Sequence, residues 1–161
     1  MKRLDILKSL KSLPSPVFTI ADLMRVTKEK RANAHVYLNR MKKAGLIYDI
    51  ERGRYSLSKD PVLIATSLLQ PSYISFLYGL GMRGMTEQIA TKLQIVVPRQ
   101  KGKILFQGME IEFIRFKKSA IFGYRKEKRN EYEVLLADAE KLVIDSLYMP
   151  RLVPVSVVFK A

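Results

Sequence analysis

Three groups of side chains carry residue types and spacings that could do chemistry. The first is the run Lys28, Lys30, Arg31, Asn33, His35, Tyr37, Arg40 and Lys43. At about 100° per residue, Ala34, Leu38 and Met41 fall within about 60° of one another and form an inward face. The opposite arc then carries Ala32, Asn33, Val36, Arg40 and Lys43, flanked by Lys28, Arg31, His35 and Tyr37. An asparagine can bond an adenine edge, and an arginine can reach guanine O6 and N7 or a phosphate. Ala32 is small enough to let such a helix sit deep in a groove. His35 reads either as a phosphate contact or as an ordinary surface histidine, and Tyr37 as packing at the helix edge. The second group is Arg52 and Arg54 astride Gly53, two guanidiniums at a tight turn suited to phosphate or minor-groove contact.

The third group is acidic. Glu110 and Glu112 lie two apart on an expected strand and so share a face, while Asp138, Glu140, Lys141 and Asp145 follow on an expected helix. A metal-dependent nuclease needs clustered carboxylates with a lysine nearby. Glu140 and Asp145 are five positions apart and diverge by about 140° on a helix, which is poor for shared ligation. The helix dipole and N-capping account for Asp138 and Glu140 more simply. No P-loop, dinucleotide-binding glycine motif, nucleophile elbow or triad is present. A further basic cluster, Lys117-Lys118 with Arg125-Lys126-Glu127-Lys128-Arg129, fits three uses equally: an extended DNA footprint, a solubilising loop, or a surface for an acidic partner.

Composition narrows the choice. The chain has 161 residues and a net charge of +14, with a pI near 10.0. Residues 1–60 hold 14 Lys and Arg against 6 Asp and Glu, a net of +8, so this first third carries more than half of the excess. A charge of this size concentrates polyanions, of which nucleic acid is the commonest in a cell. No cysteine is present, which excludes disulfides, thiolate zinc sites and cysteine nucleophiles and suits a cytoplasmic location. A single histidine excludes a multi-histidine metal centre, and the expectation is of no cofactor and no metal. The apolar runs are far shorter than the roughly 20 residues a membrane span needs. Lys8 and Lys11 break the stretch after Met1-Lys2-Arg3, so no signal peptide is expected.

The elements that must position these groups can be read from periodicity. Leu4, Ile6, Leu7, Leu10 and Leu13 recur as a helical stripe that Pro14-Ser15-Pro16 stops. Val17-Phe18 is a short extended piece. Thr19 is placed to cap a helix over residues 20–26, and Thr27 to cap a third over 28–44, with Gly45 just past its end. Leu46 to Ile50 and Tyr55 to Leu57 read as a hairpin about Glu51-Arg52-Gly53-Arg54. This order predicts a winged helix-turn-helix over residues 1–60, joined by a short hinge at Ser58-Lys59-Asp60-Pro61 to a second domain over 61–161. There the pattern predicts a helix from Ile74 to Gly81, then strands at 93–97, 104–106, 111–116 and 120–124. A helix from Val134 to Tyr148 and a closing strand from Val153 to Phe159 complete it. The expected class is α+β, with the winged helix-turn-helix followed by a smaller α+β sheet domain of antiparallel strands.

The winged helix, followed by Pro71-Ser72-Tyr73-Ile74-Ser75, by Leu80 through Gly84-Met85-Thr86-Glu87-Gln88, by Ile95-Val96-Val97-Pro98 and by Ala137-Asp138-Ala139-Glu140-Lys141-Leu142-Val143-Ile144-Asp145, resembles AbiEi-type antitoxins of type IV toxin–antitoxin systems. The resemblance spans most of the chain. It implies that the N-terminal domain binds inverted repeats upstream of its own operon as an autorepressor. It also implies that the second domain counters a nucleotidyltransferase-like toxin without an obligatory stable complex. It supplies no catalytic residue, and it makes Lys28 to Arg40 and the Arg52–Arg54 turn DNA-contacting. The sequence thus predicts a non-enzymatic, sequence-specific binder of double-stranded DNA, a homodimer on a two-fold operator with no membrane partner. Its alternatives are a protein-interaction module that docks an acidic partner, and a metal-dependent nuclease.

Overall fold

The computed structural model describes residues 2–160. Met1 of the basic N-terminal triplet and Ala161 at the end of the expected second domain lie outside the described residues. The protein is a mixed α+β fold with two sheets, one antiparallel and one mixed.

The chain begins with α1 (Arg3–Lys11), β1 (Val17–Phe18), α2 (Ile20–Thr27) and α3 (Arg31–Lys43), and the hairpin β2 (Tyr48–Glu51) and β3 (Arg54–Ser56) follows. Ile6 and Leu10 of α1, Leu23 of α2, and Ala34, Leu38 and Met41 of α3 close on Phe18 and Ile47 as one buried cluster. The 3.6-residue stripes meet there, as the sequence pattern requires. Thr19 caps α2 in a full capping box: its side chain accepts from the Asp22 amide while Asp22 accepts from the Thr19 amide at 2.8 Å. Thr27 does not cap the third helix as expected. It is the last residue of α2, and its hydroxyl bonds back to the Leu23 carbonyl at 2.8 Å. Lys28 then turns the chain in a left-handed conformation, and α3 starts only at Arg31, with Lys30 at the N-cap. At the far end Gly45 and Leu46 donate to the carbonyls of Lys42 and Met41, a paired closure of the helix terminus. The small sheet runs β1-β3-β2, all antiparallel.

At the expected hinge, serine side chains brace the backbone between β3 and the next helix. Ser56 Oγ donates to the Ser58 carbonyl and accepts from the Ser58 amide, and Ser58 Oγ accepts from the Asp60 amide. Asp60 then caps α4 (Pro61–Ala65) directly. Beyond it lie β4 (Tyr73–Ile74), α5 (Phe76–Met82), β5 (Lys92–Val97), β6 (Ile104–Phe106), β7 (Met109–Arg115), β8 (Tyr124–Arg129), β9 (Tyr132–Ala137), α6 (Ala139–Tyr148) and α7 (Val155–Lys160).

The strands form one sheet in the order β6-β7-β5-β4-β9-β8. The second domain was expected to have antiparallel strands, but this sheet is mixed: β5 runs parallel to β7 and β4 parallel to β9. Period-2 alternation sends Leu93, Ile95 and Val97 of β5, with Ile111 and Phe113 of β7, to one face. On that face they meet α4 and Ile50 of the hairpin. Val96, Ile114, Tyr73 and Ala137 face the other way, onto α5, α6 and α7. Both faces are covered, so β5 is buried from Leu93 to Val97, Gln94 included. Gly79 lets α5 approach α6 closely, for a Cβ there would stand 2.5 Å from Leu142 Cδ2.

Three further expectations are corrected. Residues 134–148 are not one helix, because 132–137 is a strand with Val134 and Leu136 on one face. Residues 120–124 are not a strand: a 3-10 turn occupies Lys118–Ala120, and β8 begins at Tyr124. The basic run 125–129 is therefore the edge strand β8 and not a loop. In place of the closing strand expected over 153–159, residues 155–160 form α7, which buries Val158 against the α5–α6 face of the sheet.

Candidate nucleic-acid interface

Along α3 the burial alternates as the helical wheel requires. Ala34, Leu38 and Met41 are fully buried, while Arg31, Ala32, Asn33, Val36, Arg40 and Lys43 are exposed. His35 and Tyr37 are half-buried at the flanks, and Tyr37 packs against the cluster beneath. Lys28 and Lys30 are exposed in the turn before α3, not on the helix. Among the described residues, none of Lys28, Lys30, Arg31, Arg40 and Lys43 has a carboxylate within salt-bridge distance. Their charge is available to an outside anion.

Two neighbours were not legible in the sequence. Glu29 accepts a hydrogen bond from Asn33 Nδ2 at 2.8 Å, so the asparagine is held before any ligand arrives, and one carboxylate sits among the cations. Arg3 of α1 joins Tyr37 and Arg40 around a concavity of about 310 Å³. No local signal ties residue 3 to residue 40; only the packing of α1 on α3 does so.

The hairpin divides its two arginines. Arg52 is exposed at the tip beside Gly53, whose φ of +78° lets the chain turn there. Arg54 points inward instead: it is half-buried, and its guanidinium donates to the Leu68 carbonyl. Glu51 grips Lys101 through both carboxylate oxygens, at 2.7 and 2.8 Å, and Arg129 Nε donates to Asp60 at 2.7 Å. The hairpin is thus docked on the second half, and Arg54 is committed to that docking. The expectation of two free guanidiniums at the turn holds for the placement of Arg52 alone.

The acidic group is dispersed. Glu110 meets Lys103 at 3.1 Å and Lys92 at 3.4 Å, and the Lys103 hydrogen bond chiefly holds its carboxyl below the usual range. Asp138 stands at the start of α6 without capping it. It accepts from Arg125 Nε at 2.6 Å, with Arg83 Nη2 at 3.8 Å. Asp145 is buried and meets Lys141 Nζ at 2.9 Å, and its other oxygen accepts from Tyr73 and Ser75 at 2.9 and 2.8 Å. Among the described residues no three His, Cys, Asp or Glu side chains lie together so as to hold a metal ion. No helix among them is long and apolar enough to cross a membrane. Comparison with protein-family models and with curated proteins returned no match.

Proposed function

We propose that this chain is a non-enzymatic, sequence-specific DNA-binding regulator. Residues 1–60 act as a winged helix-turn-helix and 61–161 as a second domain, as in the AbiEi-type antitoxins its sequence resembles. The observation that carries the reading is the exposed face of α3, where Asn33, Arg40 and Lys43 stand opposite the buried Ala34, Leu38 and Met41 and Arg31 is exposed at the flank. Three packed helices, a hairpin with an exposed arginine tip and an exposed basic helix are what a major-groove reader requires. In this reading α3 enters the major groove, Asn33 and Arg31 meet base edges, and Lys28, Lys30, Arg40, Lys43 and Arg52 meet phosphates. His35 and Tyr37 support its flanks. Arg54 fixes the hairpin and leaves the tip contact to Arg52. A homodimer sets two such helices on an inverted-repeat operator in the cytoplasm, and a nucleotidyltransferase-like toxin is the partner the resemblance implies.

Binding to a random duplex pool, followed by anisotropy titration of the enriched sequence against salt, tests this. Log affinity is expected to fall linearly with log salt, with a slope of about −0.9 for each phosphate neutralised. Asn33→Ala is expected to relax preference at one base position. Equal affinity for every duplex, or affinity indifferent to salt, overturns the reading.

A further inference from the structure

We propose that the concavity at the carboxyl ends of β5 and β7 takes an unstacked nucleotide of a single-stranded nucleic acid, as a second site separate from α3. Pro98, Arg115, Phe116, Lys117, Lys118 and Tyr148 line it, and its volume is about 600 Å³. The two strands run parallel, and the Phe116 amide donates to the Val97 carbonyl at 2.8 Å, so both chains leave the sheet side by side at this edge.

Two properties of the lining select the ligand. Arg115, Lys117 and Lys118 are all exposed, no acidic residue lines the concavity, and among the described residues none of the three cations has a carboxylate within salt-bridge distance. The site therefore favours an anion with several charged oxygens. Tyr148 adds a second requirement. Tyr148 is 65% exposed, and its ring stands nearly perpendicular to the buried Phe116 ring, at 81° with centroids 5.4 Å apart. An aromatic face held by a buried neighbour and left open beside three cations is a stacking platform next to a phosphate clamp. A duplex keeps its bases stacked on one another and offers such a ring nothing, whereas an unpaired nucleotide offers both a base face and a phosphate.

The test is anisotropy of a labelled oligothymidylate of about 12 nucleotides, a length within the site sizes of single-strand binders, with the full chain. Tyr148→Ala is expected to lower strand affinity between about fivefold and a hundredfold, the range for losing one stacked base, while Tyr148→Phe keeps it. The pair Lys117→Ala and Lys118→Ala is expected to flatten the salt slope by about 1.4, at about 0.7 for each single-strand phosphate. Far-ultraviolet circular dichroism and thermal melting report whether each variant is folded. Strand affinity that persists in folded Tyr148→Ala overturns the proposal. So does strand affinity lost with Arg31→Ala and Arg40→Ala but kept in the concavity variants, which assigns it to α3. Thymidine monophosphate that displaces the strand at equal affinity also overturns it, in favour of a free-nucleotide site. Duplex binding is read separately with the operator, so failure of the regulator reading leaves this outcome unchanged.

Discussion

On α3, Arg31, Arg40 and Lys43 stand in solvent without carboxylate partners among the described residues. On α6, Lys141 keeps 4% of its side chain exposed and meets Asp145, which keeps 1%. The lysine also donates to the Ala120 carbonyl at 2.8 Å and lies 4.0 Å from the Phe122 ring centroid. Asp145 in turn collects the hydroxyls of Tyr73 and Ser75, tying β4 to α6. Cations on a helix thus serve two ends in one chain. Lys141 of α6 has given up water for fixed partners and can answer no ligand, whereas Arg31, Arg40 and Lys43 of α3 kept their water and contribute little to the fold. Net charge alone does not distinguish them; their partners do.

The contrast can be broken most sharply at Asp145. Replacing it with alanine strands the buried Lys141 charge and orphans two hydroxyls, and the expected loss is about 3–5 kcal/mol of stability. That loss corresponds to a melting temperature lower by roughly 6–20 °C for a chain of this size. Arg31→Ala on the exposed helix is expected to change stability by no more than about 0.5 kcal/mol. Comparable destabilisation of the two variants in urea titrations would erase the distinction.

A smaller contrast lies within the hairpin. Arg54→Ala removes a charged donor from the Leu68 carbonyl, and because the site is only half-buried the expected cost is about 1–2 kcal/mol. Arg52→Ala is expected to leave the denaturation midpoint unchanged and to lower duplex affinity instead, with the salt slope flatter by about 0.9. An Arg54→Ala variant of full stability would mean that the docking contact contributes nothing.

The mildest effect is a pH dependence. Burial, and then the charge of Asp145, push the Tyr73 phenol well above its ordinary value near 10. A group whose folded value is raised stabilises fully below the unfolded value and loses that contribution as pH climbs. Stability should therefore fall above about pH 10 by about 1.4 kcal/mol per pH unit from this group. Tyr73→Phe should show a shallower alkaline decline than the native chain in urea titrations between pH 9 and 11. Identical declines would remove Tyr73 from the account.

The N-terminal half was readable because its signals are local. The stripe Ile6-Leu7-Leu10, the Thr19 cap and the glycine at 45 each act within one or two turns and stand where the pattern places them, while Leu4 is left exposed at the start of α1. Thr27 was misread because a threonine before a polar run looks like a cap, while its hydroxyl found the carbonyl four residues back. The second half depends on distant contacts. Parallel pairing of β5 with β7 leaves no mark on either segment, and Val134-Leu135-Leu136 fits a strand or a helix until the sheet places it. The β-branched residues of α7 favour extended chain, and packing of Val158 overrides that preference. At the candidate interface the exposure of α3 followed from its wheel. The loss of Arg54 to Leu68 and the arrival of Arg3 beside Arg40 needed tertiary structure.

Glu51, Arg54 and Asp60 are each gripped by a different stretch beyond residue 60. A fingertip held by Glu51 and Arg54, with Asp60 clamped at its root, has no swing of its own, so any displacement of the second half carries Arg52 with it at a fixed angle of presentation. Loosening one of these holds would trade that fixed angle for a searching arm.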